Sequence, residues 1–150
     1  MSNIVRRLIT REDIESGVWA EPNFRNVSAT GVAIGVSGSP ATIVELTVAS
    51  GYHNLLPLLV KATPSGLGTA ETATIHVVAV LDDDSTAEIA SKTTAAGSTA
   101  TETFTIIDFD FSLIPDGKRI VTVRVTAESS ATSTSATMDA AIVALQLSKY

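Results

Sequence analysis

The chain has 150 residues, no cysteine and a formal net charge of −6, with 17% of its residues charged and a mean hydropathy of +0.30. That length suits one domain, and the lack of cysteine excludes disulfide staples and thiolate metal sites together. The basic residues are scattered rather than clustered, which excludes the cationic surface a nucleic-acid partner requires.

So few charges are unusual for a small soluble monomer, whose designed surface carries roughly 25–35% charged residues. Here Ser, Thr and Ala do much of the covering. Such a surface loses little when a partner desolvates it, so the composition predicts a homo-oligomer, with a trimer favoured.

Met1–Asp13 contains no apolar run long enough for a signal peptide. The longest apolar run, Leu55–Val60, is interrupted by Pro57 and is too short to span a bilayer. The expectation is a protein of a virion or a cytoplasmic assembly, with no membrane partner. Ile4–Thr10 reads as a short strand, and Thr10-Arg11-Glu12-Asp13 resembles a capping box. Trp19–Phe24 reads as irregular, with Pro22 as breaker. Residues 1–24 are therefore read as an N-terminal arm and 25–150 as the folded domain. The apolar residues Ile4, Leu8, Trp19 and Phe24 are the candidate interface residues.

Beyond the arm, β-branched and small residues dominate and turn signals recur about every ten residues. Strands are predicted at Arg25–Gly35, Ala41–Ser50, Leu55–Thr63, Glu71–Leu81, Thr86–Thr93 and Thr137–Lys149. Pro57 demotes the third to an edge or bulge position. The fourth is apolar on both faces over its second half and is expected to be central. Pro64–Thr69 reads as a loop. With no helix available for parallel crossovers, the fold class is all-β. It is a single antiparallel β-sandwich, a jelly roll or related Greek key, of about eight or nine strands.

Thr101–Glu128 carries the strongest local signal. Two alternating runs flank Ile114-Pro115-Asp116-Gly117, a turn with Pro at its first corner and Gly in the left-handed region. As a hairpin it would set Phe111 opposite Val121 and Phe109 opposite Val123. Asp108 would face Arg124 in an ion pair, making Asp108 a poor general acid.

No catalytic motif stands out. Asp82-Asp83-Asp84 is the one candidate metal cluster, read first as a solvated turn because it lacks the alternation and the glycine of a calcium loop. His53 and His76 have no zinc-ligand spacing. Ser65-Gly66-Leu67-Gly68-Thr69 lacks the Lys-Ser/Thr of a phosphate loop. Trp19, Tyr52 and Tyr150 are too scattered to make a sugar-stacking platform.

The sequence thus predicts a non-enzymatic structural protein without cofactor. It is a β-sandwich subunit of a larger shell or filament, such as a capsid decoration or minor capsid protein. The competing expectation is a carbohydrate- or ligand-binding module, calcium-dependent at Asp82–Asp84. A cupin-like enzyme would need a His/Glu metal cluster that two distant histidines supply badly.

Overall fold

The computed structural model describes residues 22–47, 58–106 and 114–147. Within them run eight strands: β1 Pro22–Ala33, β2 Ala41–Thr47, β3 Leu58–Ser65, β4 Ala73–Leu81, β5 Thr86–Thr93, β6 Glu102–Ile106, β7 Ile120–Ser129 and β8 Thr137–Leu147. They form two four-stranded antiparallel sheets, ordered β1-β8-β3-β6 and β2-β7-β4-β5. No helix occurs among the described residues.

The pairing is palindromic. β1 pairs with β8, β2 with β7, β3 with β6 and β4 with β5. This is one long antiparallel ribbon, closed at the β4–β5 hairpin. It is wrapped so that β3 also meets β8 and β4 also meets β7. Such a rolled ribbon is a jelly roll. It bears out the predicted all-β antiparallel sandwich.

The core lies between the sheets. Leu46, Ile75, Val77, Val123 and Val125 face it from one side and Leu58, Val60, Phe104, Met138 and Ile142 from the other. Burying each aliphatic side chain of this size contributes about 1.5–3 kcal/mol relative to leaving it exposed. The alternation is strict in β3 and, from Thr122 onward, in β7, while β4 is buried along its whole C-terminal end, as befits the predicted central strand. In β8 the even-numbered residues Met138–Ala144 are buried, so Val143 faces outward and is 37% exposed.

Three expectations need correction. β1 starts at Pro22, inside the stretch read as irregular; proline is tolerated at a strand's first residue. Of the edge or bulge position expected of β3, the edge is overturned, because β8 and β6 flank it; Pro57 itself lies outside the described residues. It also runs on through Pro64, past the predicted strand end and into the expected loop. β6 pairs with β3 only as far as Ala62. Beyond that point β3 is one-sided, so a residue without an N–H costs no ladder bond there.

The third correction concerns the expected hairpin. Its turn exists: the Lys118 N–H donates to the Pro115 carbonyl at 3.1 Å and Gly117 has φ +79°. The bonded turn therefore has Asp116 and Gly117 at its centre, one residue later than predicted. The described part of its first arm, β6, does not pair with β7, for the two belong to different sheets. β2 and β4 occupy both sides of β7, so Arg124 stands opposite Glu45 and Val78. Asp108, Asp110, Phe109 and Phe111 lie outside the described residues.

Candidate functional site

The features able to carry function fall on three places: the turn at Asp82–Asp84, the outer sheet faces and the four sheet edges. Asp82–Asp84 closes the β4–β5 hairpin, where Leu81 N–H donates to the Ser85 carbonyl at 2.8 Å. Asp84 takes φ +67°, a left-handed position that Asp tolerates better than most residues. Asp83 accepts hydrogen bonds from the hydroxyl and the N–H of Ser85, and lies 3.2 Å from Lys118 Nζ. The Ser85 hydroxyl, then its N–H, then Lys118 hold the Asp83 carboxyl down to about 2. Asp82 lies 3.9 Å from Arg119 Nε. Two of the three acids are thus partnered by cations of the 114–119 turn. Among the described residues no group of three His, Asp or Glu side chains is placed to hold a metal ion.

His76 stands on the outer face of β4, with Thr74 on the same side, as the alternation implies. Its Nδ1 is 3.2 Å from Glu88 Oε2 of β5 and its Nε2 is 4.0 Å from Glu128 Oε2 of β7. Sequence spacing could not find this group, since it joins three strands across the sheet. One row along, Arg124 Nε donates to Glu45 Oε1 at 2.9 Å.

The Ser65–Thr69 loop is held by the protein itself. Glu71 Oε1 accepts the Gly68 N–H at 2.8 Å, and its other oxygen accepts from the Ser129 hydroxyl. The Gly68 N–H, then Ser129 and Thr134, lower the Glu71 carboxyl from its ordinary value. A loop whose N–H already serves a carboxylate is not an anion cradle. On the outer face of the other sheet, Ser28, Thr30, Lys61, Thr63, Asp139 and Ala141 line a shallow depression of about 170 Å³. No aromatic residue lines it, so it offers no ring for a sugar to stack on.

The edges differ sharply in protection. β2 is seven residues long, carries Glu45 and is bulged between Thr42 and Val44. β5 carries Glu88 and Lys92 and bulges at Ile89. β6 is five residues long, and Lys92 Nζ both donates to its Thr103 carbonyl and sits 5.1 Å from the Phe104 ring centroid. Charge, bulges and brevity are the usual means of blunting an edge. β1 has few of them: it is 12 residues long, has Arg25 as its one charged residue, and keeps unbroken register with β8 from Pro22 to Ala29.

No protein-family model matches the chain, and no curated protein matches it in sequence. In three dimensions it is similar to a chain in the structure of infectious bursal disease virus, Gx strain, with a TM-score of 0.60 at 12% identity. The likeness is one of fold. It covers 83% of this chain and 32% of the viral one, so this chain spans about a third of that chain's length.

Of the predicted interface residues, Ile4, Leu8 and Trp19 lie outside the described residues. Phe24 falls in β1, in register with Leu145. His53, Tyr52 and Tyr150 also lie outside them.

Proposed function

We propose that the chain is a structural subunit that assembles through its sheet edges and weakly charged faces into a viral particle, as a capsid-like or decorating component. The single observation that carries this is the fold likeness to a chain of a virus structure over 83% of the present chain. The composition supports it independently: a surface with few charges loses little on being covered by a neighbour. The imbalance among the edges supports it too, since an edge left open is a template for pairing with another chain.

In this reading the protein works by contact rather than by turnover, needs no cofactor, and forms a closed homo-oligomer, a trimer before other states. The residues before Pro22, where β1 begins, reach a neighbouring copy or the shell beneath. Electron microscopy of the purified chain tests it. Uniform closed oligomers or ordered particles are expected, whereas a field of isolated particles of monomer size counts against assembly.

A further inference from the structure

We propose that the open edge of β1 receives the segment Ile4–Thr10 of a neighbouring copy as an added strand, an inference that rests on the assembly reading above. The receiving edge is the straight part of β1, Pro22–Ala29, which among the described residues pairs on one side only, with Ala140–Leu147. On its inner face Val27 and Ala29 pack on the core yet stay half-buried, unlike Met138 and Ile142 in the next strand. A further strand would complete their cover. On the outer face Asn26 and Ser28 are exposed, small and uncharged, so an added strand meets no obstruction there.

The occupant is argued from length, pattern and charge. At least 21 residues precede Pro22, and Ile4-Val5-Arg6-Arg7-Leu8-Ile9-Thr10 is the strand-forming stretch among them, close in length to the straight edge. Residues 1–11 hold three arginines and no acid, although the whole chain carries −6. A cationic segment and an acidic body attract each other between copies. Backbone hydrogen bonds would then give affinity, and charge would steer the approach, as in strand addition generally.

Two single-cysteine variants test this, since the chain has no cysteine of its own. Thr10→Cys copies are mixed with Ser28→Cys copies and treated with a short bis-maleimide. The products are identified by mass while sedimentation reports the oligomeric state. The expected result is a heterodimeric cross-link, lost in high salt and lost when Asn26→Lys is added to the Ser28→Cys copy. Asn26 is exposed, so that change leaves the fold intact; a thermal melt checks it. Oligomers without the heterodimeric cross-link overturn the β1 assignment and leave assembly standing. An intramolecular cross-link in the double variant Thr10→Cys/Ser28→Cys, with the mixed pair unlinked, also overturns it. A compact monomer overturns both.

Discussion

Arg124 donates to Glu45 across the β2–β7 ladder at 2.9 Å, in the register that sets the two residues directly opposite each other. Val78 of β4 flanks Arg124 on its other side. No position beside Arg124 remains for Asp108, the partner that a simple hairpin would supply. An exposed cross-strand pair of this kind contributes about 0.2–1 kcal/mol. A double-mutant cycle on Glu45→Ala and Arg124→Ala, followed by urea unfolding, is expected to show coupling of that size. The cycle on Asp108→Ala and Arg124→Ala is expected to show none, and clear coupling there would restore the hairpin.

The hairpin reading shows what local sequence could and could not convey. The turn at Pro115–Lys118 was legible because proline and a left-handed glycine act through their own backbone. Which sheet each arm joins depends on residues far away: β6 meets β3 and β7 meets β2 and β4. Among the described strands only β4 and β5 are neighbours both in sequence and in a sheet. There the turn at Asp82-Asp83-Asp84 and the strand Thr86–Thr93 both follow from local sequence. Every other connection crosses between sheets, and a turn signal does not distinguish a crossing from a hairpin. β8 shows a second limit. Both of its faces carry apolar residues over Ala140–Leu147, so alternation alone could not decide that Met138 and Ile142 point inward and Val143 outward. The His76–Glu88–Glu128 group and the Lys92 tie between β5 and β6 were hidden for the same reason: each spans strands that only the fold brings together.

Acid should weaken the protein through two carboxylates. Asp83 holds its proton less tightly in the fold than in the unfolded chain, so it stabilises the fold while ionised. That contribution is present above the ordinary value of about 3.9 and is lost as pH falls through about 2. Glu71 is lowered in the same direction and adds to the loss. Unfolding midpoints in urea should therefore fall on acidification through this range, and more gently in Asp83→Asn. An identical profile for the variant would refute the role given to Asp83. Calcium is expected to leave the melting temperature unchanged, because Lys118 and Arg119 already face Asp83 and Asp82.

Gly35 stitches the two sheets at one end. Its N–H donates to the Ala127 carbonyl at 3.0 Å and its carbonyl accepts the Ser129 N–H at 2.8 Å. A Cβ there would run into the Ser39 carbonyl oxygen, and that atom belongs to backbone that cannot swing aside. Gly35→Ala should cost about 1–3 kcal/mol or more. Gly38→Ala has open space for its Cβ and loses only through its φ of +80°. Chemical denaturation of the two variants side by side separates the clash from the conformational term, and equal losses would contradict the close approach.

The left-handed Asp84 makes a contrasting case. Replacement by valine, which resists positive φ, should destabilise the β4–β5 hairpin by about 1–2 kcal/mol. Replacement by glycine should be close to neutral, since relief of strain offsets the added freedom of the unfolded chain. Thermal melts of both variants check this; a glycine variant as unstable as the valine one would show that the Asp84 side chain, not its backbone, matters.

Whether the chain functions by assembling is tested most directly by sedimentation velocity at micromolar concentration, on the full chain and on a version lacking only residues 1–21, so that β1, which starts at Pro22, stays whole. A discrete oligomer for the full chain that dissociates or shrinks on truncation is the predicted result. A compact 15.6 kDa monomer, unchanged by the deletion, would contradict it.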